Sequence, residues 1–115
     1  MCPALPFGFT QLPMGGSMRF VQFIEFTTDD IEAVSAEVDR WIVDSAEWRT
    51  AKRVSLCADR DNPGSYVHIV EFPSYEEAMA NSNDPRTAEF AARMAEMTAE
   101  GRKFRNLDLL RVNEL

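Results

Sequence analysis

The sequence predicts one α+β domain, a four-stranded antiparallel sheet with helices on one of its faces. Three observations predict it. Four short runs rich in Val, Ile, Phe and Leu are separated by two helical regions, and a Pro-Gly turn joins the second run directly to the third. The chain has 115 residues, the length of a single domain. Its hydrophobic fraction of 45%, with eight Phe, is that of a chain that builds a core.

The first run, Arg19–Phe26, is made of strand formers and is apolar on both faces. Phe20, Ile24 and Phe26 share one face, and Val21 and Phe23 share the other. Thr27-Thr28-Asp29-Asp30 then offers helix caps, and Asp29 with Glu32 three residues on resembles a capping box. Ile31, Val34, Val38, Trp41, Ile42 and Ser45 follow at helical spacing. Glu32, Glu37, Asp39 and Asp44 are expected on the solvated side of that helix.

Arg49–Asp59 reads as the second strand, with Val54, Leu56 and Ala58 on one face and Ser55 and Cys57 on the other. Asn62-Pro63-Gly64-Ser65 has the Pro and Gly of a type II turn, so a hairpin leads into the third strand, Tyr66–Phe72. Pro73 stops that strand, and Ser74 caps a short helix from Tyr75 to about Ser82. Asp84 and Pro85 restart a helix that carries Phe90, Met94 and Met97, with Gly101 as its expected terminator. Arg105–Val112 is the expected last strand. The order is β-α-β-β-α-β, a ferredoxin-like split motif with a four-stranded antiparallel sheet.

In such a topology both helical regions cover one face of the sheet. An open face alternates apolar and polar residues, yet Val21, Phe23, Val67 and Ile69 make the second face apolar as well. A second copy of the same sheet is the economical cover, giving a homodimer through the sheet faces and an α+β barrel at the interface.

The remaining features exclude more than they specify. A net charge of −7 argues against a nucleic-acid partner, because phosphate counterions are displaced by clustered Lys and Arg. Lys52 with Arg53, and Arg102 with Lys103 and Arg105, read as solvated charges at element ends. Cys2 and Cys57 form neither a disulfide framework nor a metal-ligand spacing, and two free thiols suit a cytoplasmic location. Cys57 reads as a small buried apolar residue. Residues 1–17, rich in Pro and Gly, read as a flexible extension that is neither signal peptide nor membrane span, and 18–115 as the barrel domain.

The strand order, the stretch Glu71-Phe72-Pro73-Ser74-Tyr75-Glu76-Glu77-Ala78 and the Asp84-Pro85 restart resemble the antibiotic-biosynthesis-monooxygenase-like family of the dimeric α+β barrel superfamily. The resemblance covers Met18–Leu115. It implies a pocket between helices and sheet, and an activity among cofactor-free oxygenation of polyphenols, haem degradation, lactone isomerisation and polyketide cyclisation. A haem-degrading relative carries Asn, Trp and a ligating His where this chain has Gln22, Phe72 and the segment 88–91. No His stands in that segment, so neither haem nor any other cofactor or metal is expected here.

If Phe72 faces the pocket, alternation brings Val70, His68 and Tyr66 to the same face. Phe20, Gln22 and Ile24 join them from the first strand, and Trp41, Phe90 and Met94 from the helices. This is an apolar pocket with few polar points, suited to a small apolar or aromatic ligand. His68, the one histidine, has the ordinary pKa of a general base at neutral pH. It reads either as that base or as a structural histidine hydrogen-bonded within the sheet. Gln22 reads either as a holder of a substrate carbonyl or as a partner of a neighbouring side chain. Asn106 and Asp108 are candidates to orient His68 or to sit at the dimer seam. Two functions follow from different classes: a cofactor-independent monooxygenase acting on an aromatic or polyketide-like substrate, or a related isomerase or cyclase; and a non-catalytic dimer that binds or senses such a ligand.

Overall fold

Residues 19–115 are described by a computed structural model. The extension expected over 1–17, Cys2 and Met18 lie outside the described residues. The elements run β1 (Phe20–Thr27), α1 (Ile31–Asp44), β2 (Arg53–Ala58), β3 (Ser65–Phe72), α2 (Tyr75–Asn83), α3 (Pro85–Met97) and β4 (Lys103–Asp108). The strands form one antiparallel sheet in the order β2-β3-β1-β4, the ferredoxin-like arrangement. The second helical region is two helices, with the restart expected at Asp84-Pro85. Asp84 closes α2 and caps α3 through its side chain, which accepts from the backbone N–H of Arg86, and Pro85 opens the new helix.

Register decides which side chains share a face. Phe20 pairs with Phe72, Gln22 with Val70, Ile24 with His68 and Phe26 with Tyr66, all on the helix-covered face. Val54 and Leu56 of β2, and Phe104 and Asn106 of β4, share that parity. Two core clusters form there. Phe20, Ala51, Phe72 and Ala78 pack with Trp41, Val70 and Met79 at one end. Phe26, Val34 and Met94 pack with Val38, Tyr66, Phe90 and Met97 at the other. The opposite face presents Val21, Phe23, Val67, Ile69 and Leu107, each half-buried, with the ion pairs Arg53–Glu71 and Glu25–Arg105 beside them.

The Pro-Gly turn forms as expected. Gly64 adopts φ +89°, which glycine tolerates without strain, and the Ser65 N–H donates to the Asn62 carbonyl at 3.1 Å.

Several expectations are corrected. Asp30, not Asp29, caps α1, because its carboxylate accepts from the Ala33 N–H at 3.1 Å. Gly101 does not end α3, which closes at Thr98. Residues 109–112 are not in the last strand; β4 starts two residues earlier and ends at Asp108, leaving Leu110 and Val112 exposed. Cys57 is exposed on the face opposite the helices. Glu37 is not solvated: it is 3% exposed and bonds Arg40 at 2.5 Å and Arg93 at 2.6 Å. The Arg93 hydrogen bond, aided by Arg40, holds its carboxyl below the usual range against the opposing effect of burial. This clamp ties α1 to α3 across the roof of the sheet.

Candidate functional site

Between the sheet and its helical roof lies a cavity of about 250 Å³. Its floor is Gln22, Ile24, Val54, His68, Val70, Phe72 and Phe104 from all four strands. The roof supplies Val38 and Trp41 from α1, Asn81 and Ser82 from α2, and Thr87, Phe90 and Ala91 from α3. Arg102 lies beside Phe104 on the edge formed by β4. Apolar walls with few polar points are the composition of a small-molecule site.

Of the ten residues expected at the pocket, the structure brings seven together: Gln22, Ile24, Trp41, His68, Val70, Phe72 and Phe90. The other three share the correct face but pack elsewhere. Phe20 is 3% exposed in the core with Phe72, meeting that ring at 6.2 Å and Tyr75 edge-on at 5.4 Å. Tyr66 stacks on Phe26 at 5.8 Å, and Met94 is buried in the same cluster. Alternation fixes a side chain's face but not its position along the strand, so Phe20 and Tyr66, near the starts of β1 and β3, share the face of the cavity without lining it.

His68 is 5% exposed and stacks on Phe26 with ring centroids 5.0 Å apart. Burial lowers its pKa below 6.5, so the imidazole is neutral at pH 7. Among the described residues no group hydrogen-bonds it. Neither Asn106 nor Asp108 orients it. Asn106 instead accepts from Gln22 Nε2 at 3.0 Å, which fixes the Gln22 amide beside the cavity with its Oε1 unspent.

Trp41 packs its ring 5.5 Å from Phe90 and carries the Arg49 guanidinium 5.7 Å above its face. Its indole Nε1 is buried without a hydrogen-bond partner. Asn81 went unnoticed in the sequence because an Asn within a short polar helix carries no signal of burial. It is 8% exposed, and its Oδ1 accepts the Thr50 N–H at 3.3 Å. The backbone donor settles which end of the amide faces Thr50, so Nδ2 is left as a donor with no partner among the described residues. Arg102 and Phe104 were missed with the start of β4. The Arg102 guanidinium lies 5.5 Å from the Phe104 ring, and Phe104 is 51% exposed. Among the described residues no three His, Cys, Asp or Glu side chains are grouped as metal ligands. No described helix is long and apolar enough to cross a membrane.

No protein-family model matches the sequence, and no curated protein matches it. Solved structures do. The cofactor-independent oxygenase SnoaB from Streptomyces nogalater superposes with a TM-score of 0.70 at 14% identity, covering 84% of this chain and 97% of that one. Rv0793 from Mycobacterium tuberculosis gives 0.66 at 16% identity, covering 84% and 99%. A structure described as an antibiotic biosynthesis monooxygenase gives 0.62 at 15% identity, covering 80% and 98%. At such identities the likeness is one of fold. The chain therefore has the ferredoxin-like α+β fold of the antibiotic-biosynthesis-monooxygenase-like structures, as the resemblance in its sequence implied.

Proposed function

We propose that this chain is a cofactor-independent monooxygenase acting on a small aromatic or polyketide-like molecule, with His68 as general base. One observation carries the proposal: a buried, neutral imidazole lines an apolar cavity and spends neither nitrogen on the described residues. A structural histidine in a sheet would be hydrogen-bonded to its surroundings. SnoaB, described as a cofactor-independent oxygenase, has the same fold and supports the reading by analogy.

The chemistry is self-contained. The neutral His68 removes a proton from an activated carbon or phenolic oxygen of the bound aromatic. The resulting anion gives one electron to dioxygen, and the radical pair combines through a new C–O bond to a peroxide. His68 returns its proton to that peroxide. Loss of water from the hydroperoxide leaves a carbonyl, so CH₂ and O₂ become C=O and H₂O with no external reductant. Apolar walls around the base keep water from quenching the anion. Gln22, held by Asn106, positions the substrate oxygen through its free Oε1 or its second N–H.

We also infer that two copies pair through the face bearing Val21, Phe23, Val67 and Ile69, and that the protein works in the cytoplasm. The test of the catalytic reading is dioxygen uptake with anthrone, whose methylene is acidic enough to ionise in such a site. The wild type is expected to consume one O₂ per anthraquinone formed. His68→Ala should lower the rate by about 10²–10⁴-fold. Full activity in a folded His68→Ala would remove the base. Tight binding without turnover of any enolisable aromatic would favour a sequestering or sensing dimer instead.

A further inference from the structure

The cavity has two polar ends that the proposed chemistry does not use. Asn81 belongs to α2 and is tied by its Oδ1 to Thr50, just before β2. Arg102 stands just before β4. Because the sheet runs β2-β3-β1-β4, these residues mark opposite edges of the floor. The register, with Arg53 level with Leu107 and Lys103 level with Cys57, also sets them toward opposite ends of the strands, so the cavity that both line runs diagonally across the sheet. Side chains reaching inward from both place a polar group at each end of that one cavity.

The two ends differ in charge. At the β2 edge, Asn81 is more than nine-tenths buried and presents an unpartnered neutral N–H donor. At the β4 edge, Arg102 is half-buried and is the one charged residue in the lining. Among the described residues no carboxylate pairs with it, although the chain as a whole carries a net charge of −7. An isolated guanidinium beside an apolar cavity in an acidic protein selects an anionic oxygen, and its fork suits a carboxylate or an ionised hydroxyl.

We propose that the cavity is built for a two-ended aromatic: a neutral oxygen acceptor at Asn81, and an anionic oxygen at Arg102. This rests on the reading of the cavity as the ligand site but not on His68 being a base. It makes Asn81 and Arg102 specificity-determining residues, and it sets the orientation in which a ligand lies across the imidazole of His68.

The test uses 6-methoxy-2-naphthoate and its neutral isostere 6-methoxy-2-naphthamide, with affinities measured by calorimetry at low salt. The wild-type protein should bind the carboxylate about ten times more tightly than the amide, the range of one charge-assisted hydrogen bond. Arg102→Met should remove that preference while leaving amide affinity within about twofold, and Arg102→Lys should restore part of it. Asn81→Asp keeps the acceptor for the Thr50 N–H and replaces the donor, so it should weaken both ligands by about fivefold or more. Val70→Trp, which fills the cavity floor, should abolish binding of both. If both ligands bind and Val70→Trp blocks them, but no carboxylate preference exists or Arg102→Met leaves it intact, the two-ended reading falls and the cavity survives. If neither ligand binds, or Val70→Trp has no effect, this inference and the cavity reading fall together.

Discussion

Glu37→Gln is the substitution whose consequence follows most directly from the structure. The Glu37 side chain is 2% exposed and is the joint of a clamp: one oxygen meets Arg40 Nη2 at 2.5 Å and the other meets Arg93 Nε at 2.6 Å. The amide of Gln accepts from one arginine but turns an N–H toward the other, so one charge-assisted bond is lost and a donor is left facing a donor. Hydrogen bonds to charged groups contribute about 1.5–3 kcal/mol, and the partial exposure of both arginines places the loss near the lower half, about 2 kcal/mol. For a domain of this size that lowers Tm by roughly 8–16 °C. The sign of the pH dependence is fixed as well. The folded-state pKa of Glu37 is depressed, so its stabilisation is fully present above the unfolded value of 4.5 and is lost as pH falls through the lower folded value. Urea unfolding of both proteins between pH 3 and 7 should show a gap at neutrality that narrows in acid. A gap of equal size at pH 3 and pH 7, or none at pH 7, would refute the clamp. Because α1 and α3 form the cavity roof, the same variant should also weaken ligand binding.

Other outcomes follow from single features. Burial lowers the His68 pKa, so the base is in its active form above that value, and anthrone turnover should fall as pH drops below it, with the midpoint under 6.5. If the apolar face of Val21, Phe23, Val67 and Ile69 is a dimer seam, light scattering should give twice the chain mass at micromolar concentration. Phe23→Glu should then yield monomers; a monomeric wild type would remove the seam. Gly64→Ala should lower stability by about 1 kcal/mol through backbone strain alone, since an added Cβ would meet nothing nearer than the Thr28 carbonyl at 3.8 Å. Chemical denaturation reads this change directly, and an unchanged midpoint would contradict the left-handed turn.

The sheet was legible because period-2 alternation and turn chemistry are local. Pro63-Gly64 announced the hairpin, and parity counted back from Phe72 put His68 on the helix-covered face, where it lies. Arg102, Phe104 and Asn81 were not legible because their roles depend on where β4 begins and on what Thr50 meets, both long-range facts. Glu37 left a trace that helical geometry could have caught. It stands three residues after Val34 and four before Trp41, on the buried stripe, so a carboxylate there called for a cationic partner. The partner from α3, Arg93, is 56 residues away, and no local rule names it.

His68 is the only histidine, so its ring protons give one assignable set of NMR signals. Following the Cε1–H resonance through a pH titration, with and without 6-methoxy-2-naphthoate, tests the central claim most directly. A neutral imidazole in the wall of a ligand cavity titrates below 6.5 in the free protein, and its resonance shifts when the naphthoate binds. A resonance that titrates at or above 6.5 and ignores the ligand would contradict both the burial of the base and its place in the site.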